Sequence, residues 1–191
     1  MSSIAVHTLL TPEEYISAER KATLKREYLS GERVAISGAS LEQNLITMNT
    51  ATSLYNQLIN QRCMVFTSDM RVGIDSGDAY LYPDVSVVCD RPRFEDDVLD
   101  TLLNPIIVIE VLSPSTETYD RGEKAERYKK LDSLKEYVLI SQDRHNVEHY
   151  TVEEGICSVK ELNDLSDTLM LTSVEAELSL QQLYRFIDFE T

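Results

Sequence analysis

The stretch Ile106-Ile107-Val108-Ile109-Glu110-Val111-Leu112 decides the fold class of this 191-residue chain. All but one of its residues are apolar and most are β-branched, which is typical of a strand buried on both faces in the middle of an α/β sheet. Asn104-Pro105 before the run and Ser113-Pro114 after it favour turns. The stretch therefore predicts the central strand of an α/β domain.

Hydrophobic periodicity and turn residues place further elements on both sides of this strand. Before it we predict a helix over 11–29, a strand over 33–37, a helix over 41–61, a hairpin with strands over 63–74 and 79–88, and a charged surface loop over 90–100. After it we predict a helix over 120–131, a buried strand over 136–141, a hairpin with strands over 146–152 and 156–160 that turns at 153–155, and a terminal helix over 178–186. This order favours one α/β domain with a mixed sheet, spanning 1–191 with its core over about 11–186.

Two details of these helices carry predictions of their own. Thr11, Pro12 and Glu14 form a capping box at the start of the first helix, and Asp120 with Glu123 suggests another. The buried face of the long helix is predicted from apolar or small residues three and four positions apart: Leu41, Leu45, Met48, Thr52, Tyr55 and Ile59.

Charge and composition limit the classes of function. The formal net charge is −15, which argues against tight, non-specific DNA binding, because phosphate contacts need Lys and Arg. The acid excess either serves solubility or contains a carboxylate cluster that awaits a divalent cation, and net charge does not separate the two. The chain has no apolar stretch long enough to span a membrane and no signal-peptide pattern at its start.

The number and spacing of the cysteines indicate the redox environment of the protein. Cys63, Cys89 and Cys157 are odd in number, far apart and without a C-x-x-C pair, so we expect no disulfide framework. A reduced, cytoplasmic setting is the expectation that follows.

Two acidic residues stand out against apolar strands. Glu110 lies within the central run, where an unpaired buried carboxylate would cost several kcal/mol, so it should be protonated, bind metal, or pair with a helix Lys or Arg. Asp84 follows Pro83 at the entrance to the apolar segment 85–88, and proline belongs at a strand start. An isolated Pro-Asp pair, however, more often indicates a turn at the beginning of a strand than a functional acid.

Lys124 is predicted to point inward from its helix. Positions 121, 124, 128 and 131 share one helical face, and Tyr128 and Leu131 mark that face as the one packed on the sheet. A lysine that extends its ammonium group to solvent is the alternative.

Together these residues predict a chemistry that none predicts alone. Carboxylates from adjacent strands, here Asp84 and Glu110, can hold a hard cation such as Mg²⁺ or Mn²⁺, and the carbonyl of Val111 offers a further oxygen. An inward lysine such as Lys124 can orient or help deprotonate a water and offset charge on a phosphate transition state. The set predicts metal-dependent phosphodiester hydrolysis.

The segments that carry these residues resemble the Uma2 family of the PD-(D/E)XK nuclease superfamily. The matching segments are 25–32 (KREYLSGE), 82–88 (YPDVSVV), 109–116 (IEVLSPST), 120–124 (DRGEK) with Tyr128, and 136–137 (EY). The resemblance extends from about Thr11 to Tyr184 and implies a restriction-endonuclease-like mixed sheet flanked by helices.

The resemblance also implies roles for individual residues. Asp84 and Glu110 correspond to the metal-binding acids, and Lys124 to a lysine that has moved from the position of Leu112 onto the next helix. Glu27 corresponds to an acid of the family's first helix, an extra ligand or base. Where relatives carry His-Asn, this chain has Gln43-Asn44, and glutamine cannot take up a proton.

Three interpretations follow for the function. The first is a Mg²⁺- or Mn²⁺-dependent DNA endonuclease, and nucleases of this fold often form homodimers to cut both strands. The second is an inactive nuclease-fold module that binds nucleic acid or protein, which the acidic charge and Gln43 favour. The third is a structural domain in which Glu110 and Lys124 form a buried ion pair.

Overall fold

The computed structural model describes residues 9–153 and 156–189. Its helices are α1 (Pro12–Glu19), α2 (Leu41–Leu58), α3 (Glu117–Tyr119), α4 (Ala125–Tyr128) and α5 (Leu180–Leu183). Its strands are β1 (Arg26–Leu29), β2 (Glu32–Ala35), β3 (Cys63–Thr67), β4 (Arg71–Ile74), β5 (Ala79–Leu81), β6 (Val85–Cys89), β7 (Thr101–Leu102), β8 (Ile107–Leu112), β9 (Glu136–Ser141), β10 (Val147–Glu153), β11 (Ile156–Leu162), β12 (Thr168–Leu171) and β13 (Ala176–Ser179). A 3-10 turn covers Asp75–Gly77, and a π-helical turn (Asp120–Lys124) joins α3 to α4.

A mixed six-stranded sheet forms the centre of the molecule, in the order β11-β10-β9-β8-β6-β3. The predicted central strand is confirmed: β8 lies between antiparallel β6 and parallel β9, and all six of its residues are buried. One face of this sheet packs against α2, β12, β13 and α5. The other face packs against α4 and the second sheet. Helical and sheet layers thus cover β8 on both sides, which explains its continuous apolar sequence.

The predicted hairpin is bent across two sheets. Its first strand breaks at 68–70 into β3 and β4, and its second breaks at 82–84 into β5 and β6. β3 and β6 pair in the six-stranded sheet, whereas β4 and β5 belong to a five-stranded sheet ordered β2-β1-β5-β4-β7. The prediction of two continuous strands over 63–74 and 79–88 is therefore wrong, and the break at 82–84 is where Asp84 lies.

The first helix is shorter than predicted. The capping box at Thr11 is confirmed, but α1 ends at Glu19 and residues 26–29 form β1. β1 pairs with both β2 and β5, so sheet contacts override the helix pattern there. Ser30 and Gly31 connect β1 to β2 with positive φ at both positions, as in a two-residue hairpin turn. Glu27 therefore lies on a strand and not on the first helix.

Two predictions in the C-terminal half also need correction, and a third is confirmed. The helical segment begins at Glu117, so Asp120 and Glu123 lie within it and form no capping box at its start. Residues 176–179 are a strand, and the predicted terminal helix is limited to α5. The strands of the 146–160 hairpin are confirmed as β10 and β11, while positions 154–155 of its predicted turn lie outside the described residues.

The long helix is confirmed, but the prediction of its buried face is wrong. The face that packs on the sheet consists of Ile46, Thr50, Ala51, Leu54 and Leu58. The predicted face is exposed instead, with Leu41 69%, Met48 58%, Tyr55 55% and Ile59 54% exposed. The sequence pattern correctly identified an apolar stripe along α2. It did not show that α2 has a second stripe and that this second one is buried.

Cys63 and Cys89 form a disulfide, contrary to the expectation of reduced cysteines. They face each other directly in the antiparallel β3/β6 register, with Cα atoms 3.9 Å apart. Their 26-residue separation concealed this proximity, because the bent hairpin brings both strands together. Cys157 is free and exposed. Among residues 9–153 and 156–189, no helix combines the length and apolar character that a membrane span requires.

Candidate active site

Two strand ends bring Asp84 and Glu110 to one cavity. Asp84 stands immediately before β6, at the point where the chain changes sheets, and Glu110 lies in β8 just beyond the residues that pair with β6. The Asp84 Oδ2 atom accepts a 2.7 Å hydrogen bond from the backbone N–H of Val111. This bond fixes Asp84 against the end of β8, on the edge where β6 no longer pairs with it, next to Glu110.

Lys124 reaches the same point from the opposite helix, as the sequence predicts. Its ammonium nitrogen lies 2.9 Å from Glu110 Oε1, 3.2 Å from Glu27 Oε1 and 3.5 Å from Asp120 Oδ1. All four side chains are at least nine-tenths buried. Lys124 lies on the π-helical turn, a distortion that often accompanies functional sites.

Glu27 joins the cluster from β1 and is held by three donors. Its Oε1 atom accepts from the backbone N–H of Tyr82 at 3.1 Å and also faces Lys124, while its Oε2 atom accepts from the Tyr119 hydroxyl at 3.2 Å. Glu27 thereby ties β1 to the strand break before Asp84. Glu27 thus lies in the cluster around Lys124, although it lies on a strand and not on the predicted helix.

Glu110 and Asp84 each retain an oxygen outside their strongest contacts. The Tyr128 hydroxyl donates to Glu110 Oε1 at 3.0 Å, so both this bond and the Lys124 contact use Oε1 and neither uses Oε2. Asp84 Oδ1 receives only a long contact of 3.4 Å from the Gln43 amide, in the first turn of α2. In a strand the N–H and carbonyl of one residue point to the same side, so the Val111 carbonyl points to the same edge of β8 as the N–H that bonds Asp84.

Burial dominates the electrostatics of these groups. Burial raises the pKa of Asp84 and Asp120, and raises the pKa of Glu110 well above its usual value. Burial alone would lower the pKa of Lys124, but Glu110, Glu27 and Asp120 hold it well above the usual value. Lys124 is therefore held as an ammonium ion, whereas burial disfavours the ionised form of Asp84, Glu110 and Asp120.

The cavity above these residues has a volume of about 460 Å³ and a lining of mixed character. Its lining includes four acidic side chains (Glu27, Asp84, Glu110, Asp120) and two lysines (Lys25, Lys124). It also includes apolar residues from the β1–β2 region: Leu24, Val34, Ala35, Ile36 and Ala39. Lys25 donates to the backbone carbonyl of Ser68 and to Asp69, so it is already engaged.

The structure adds residues that the sequence argument missed and leaves others outside the site. Asp120 was assigned to a helix cap, although its i,i+4 spacing to Lys124 was a usable signal for an ion pair. Tyr119 and Lys25 also line the cavity. His149 pairs with Glu136 and does not line the cavity.

The donor set fits one hard divalent cation held by few protein ligands. Asp84, Glu110 and the Val111 carbonyl offer only oxygen atoms, which Mg²⁺ and Mn²⁺ prefer, and a bound cation would favour the ionised form of both carboxyl groups, which burial disfavours. Within the part of the chain that the structure describes, no group of three or more His, Cys, Asp or Glu side chains forms a preassembled metal site. Magnesium sites commonly have one or two carboxylates and complete their coordination with water and substrate phosphate.

Comparisons with known proteins agree with this architecture. The Uma2 family, described as "Putative restriction endonuclease", matches residues 12–182. The uncharacterized protein sll1609 of Synechocystis sp. is 37% identical over 150 residues, covering 78% of this chain and 85% of that protein. The uncharacterized protein slr1290 of the same organism is 33% identical over 180 residues and 94% of each chain. The crystal structure of a putative nuclease belonging to DUF820 from Anabaena variabilis superposes with a TM-score of 0.74 at 19% identity, covering 92% of this chain and 97% of that one.

Proposed function

We propose a function from the premise that this chain belongs to the Uma2 family, whose fold is that of a nuclease. The proposed activity is hydrolysis of DNA phosphodiester bonds with the help of Mg²⁺ or Mn²⁺. The observation that carries the proposal is the convergence of Asp84, Glu110, Glu27 and Lys124 on one cavity from four different elements. Buried titratable groups that gather around one lysine in a cavity, with pKa values shifted by burial and by each other, often mark a functional site.

In this proposal Asp84, Glu110 and the Val111 carbonyl hold the cation. When bound, a divalent cation supplies Lewis-acid polarisation of a phosphoryl oxygen and activation of water. The Val111 N–H and the Gln43 amide orient the two oxygens of Asp84. Tyr128 fixes Glu110 through Oε1, which leaves Oε2 for the cation.

Lys124 acts as a charge and a hydrogen-bond donor, not as a base. Its carboxylate neighbours hold it in the ammonium form, and an ammonium has no lone pair to accept a proton from water. It would instead stabilise negative charge on the phosphate in the transition state. Glu27 is proposed as a positioning residue, because its bonds to Tyr82 and Tyr119 hold the carboxylate that faces Lys124.

The shape of the cavity suits a nucleotide unit. Its volume of about 460 Å³ lies within the range of small-ligand pockets. A cation held by the acidic lining residues would bind the phosphate. The apolar lining residues Leu24, Val34 and Ile36 offer a surface for a base or sugar.

Titration calorimetry with Mn²⁺ tests the site before any substrate is known. We expect wild type to bind the ion, and Asp84→Asn and Glu110→Gln to lose that binding. Glu126→Gln is the matched control, because Glu126 is 71% exposed on the same helical segment as Lys124 and outside the cavity. Circular dichroism would check that each variant folds. Binding that is absent in wild type, or indifferent to both site substitutions, would refute the proposed site.

Cleavage assays then test the activity. Labelled single-stranded and double-stranded DNA should be cut by wild type and Glu126→Gln with Mn²⁺ or Mg²⁺, and by neither site variant. Cleavage that persists in EDTA would contradict metal dependence.

A nuclease-fold module that binds without cutting is the second candidate. The cavity lining favours it, because four carboxylates face only two lysines, and phosphate contacts normally depend on cationic side chains. Gln43 also cannot exchange a proton with substrate or water. Mn²⁺ binding without cleavage of any DNA offered would favour this candidate over the endonuclease.

A further inference from the structure

The outer face of α2 carries a second apolar stripe, which the described part of the chain leaves largely exposed apart from the partly buried Leu45. We define the α2 stripe by its six positions, Leu41, Leu45, Met48, Thr52, Tyr55 and Ile59. At about 100° per residue it lies roughly 145° around the helix axis from the buried face. Four of its large side chains are more than half exposed, which is unusual for contiguous apolar residues on one helix.

The spacing of the stripe matches a helix–helix seam. Its positions follow one another in steps of 4, 3, 4, 3 and 4 residues. This is the alternation that places apolar side chains toward a second helix in a coiled-coil-like pair. The stripe is about 27 Å long at 1.5 Å per residue, enough for several layers of contact. Tyr55 adds an amphipathic aromatic ring of the kind that anchors interfaces.

From these features we infer that this chain forms a homodimer through antiparallel pairing of α2 with α2 of a second copy. The charge pattern supports a second copy as the occupant. The chain has a net charge of −15, so two copies repel each other over most of their surfaces. From 41 to 61, however, Glu42 is the one charged residue, and α2 is therefore where two acidic copies can touch without like-charge contacts.

The ends of the stripe set the direction of pairing. Glu42 lies at one end, and the exposed Arg62 follows α2 at the other. Antiparallel pairing places Glu42 beside Arg62 of the second copy at both ends, whereas parallel pairing would place like charges together. Because Gln43 lies in the first turn of the same helix and reaches Asp84, dimer formation would also fix the element that presents Gln43. The inference does not depend on the proposed function.

Sedimentation or light scattering over a range of protein concentration tests the dimer. We expect wild type to dimerise and the double variant Met48→Glu/Tyr55→Glu to be monomeric. The matched control is Val159→Glu/Met170→Glu, which places the same charges on exposed apolar residues of β11 and β12 and should remain dimeric. Added salt should strengthen a dimer of two acidic copies, since it screens their repulsion, whereas a dimer held by ion pairs would weaken.

Cysteine cross-linking provides a test that does not rely on disrupting the interface. In a Cys157→Ser background, Thr52→Cys lies near the middle of the stripe and should form an intermolecular disulfide, whereas Leu41→Cys at its end should not. Cross-linking at position 41 would indicate parallel pairing and contradict the inferred arrangement. A wild type that stays monomeric at its highest soluble concentration, or a dimer that survives Met48→Glu/Tyr55→Glu, would overturn the proposal.

Discussion

Replacing Lys124 by methionine tests whether one buried ammonium group is what allows three carboxylates to be buried around it. Its nitrogen lies within 3.5 Å of oxygens from Glu110, Glu27 and Asp120, none of them more than 5% exposed. Removing one partner of a buried ion pair costs about 3–5 kcal/mol, because the remaining charge has no compensation. At about 2–4 °C of Tm per kcal/mol for a protein of this size, the expected fall in Tm is roughly 6–20 °C.

The double variant Glu110→Gln/Lys124→Met separates the ion pair from other effects of the substitution. It removes the carboxylate closest to Lys124 together with the ammonium, so it should be more stable than the sum of the single variants predicts. We expect a coupling free energy of about 0.5–3 kcal/mol from the double-mutant cycle. Glu27 and Asp120 keep their charges in this variant, so recovery should be partial.

Urea unfolding followed by circular dichroism gives the free energies, and thermal scans give the Tm values. Lys130→Met is the matched control, because Lys130 forms a partly exposed ion pair with Asp78 and should cost less than about 1 kcal/mol. If Lys124→Met were no more destabilising than Lys130→Met, the carboxylates would not depend on the lysine. The account of the site as an assembly held by Lys124 would then be wrong.

Three further predictions concern other parts of the molecule. Burial acts to raise the pKa of Glu136, but hydrogen bonds from His149 and the Ser173 N–H hold that pKa below its usual value. The ionised Glu136 therefore stabilises the fold, and this stabilisation is lost as the pH falls through and below about 4. In Glu136→Gln the unfolding free energy, measured against pH, should fall less steeply over that range. Reduction of the Cys63–Cys89 disulfide, which closes a 26-residue separation, should lower the unfolding free energy by roughly 3 kcal/mol, and rapid thiol labelling of Cys63 in unreduced native protein would contradict the pairing. Gly31→Ala should destabilise by about 1–3 kcal/mol in urea unfolding, since Gly31 has φ +102° and a Cβ there would lie 2.9 Å from Leu9, and a neutral result would show that the turn relaxes.

The central strand and two residues of the candidate site, Glu110 and Lys124, could be predicted because their signals are local. A β-branched run bounded by turn residues identifies β8, and a carboxylate within it is conspicuous. The inward direction of Lys124 follows from the helical positions of Tyr128 and Leu131, and the structure buries all three. Each of these signals lies within a single strand or helix, so residue spacing in the sequence is enough to detect it.

The predictions that were wrong concern segments whose structure is decided by contacts between elements and not by the local sequence. Arg26–Leu29 could have continued α1, but pairing with β2 and β5 makes it a strand. On α2 the more conspicuous apolar stripe is the exposed one, while the buried face includes Thr50 and Ala51. The disulfide depends on the bend that aligns β3 with β6, and neither the bend nor the register can be derived from cysteine spacing.

The bend at 82–84 also explains why the site lies where it does. A continuous strand would have paired its backbone along this edge of β8. The break instead leaves the Val111 N–H without a strand partner on that edge, and the Asp84 side chain accepts its hydrogen bond. The same break offers the Tyr82 N–H to Glu27. One interruption therefore holds two carboxylates next to Glu110 in a protein that already carries an acid excess. Such an arrangement is costly without a counter-charge, and Lys124 supplies only one. A cation that binds the folded state alone would stabilise it in proportion to the logarithm of its concentration, so occupancy of the site and stability of the fold should rise together.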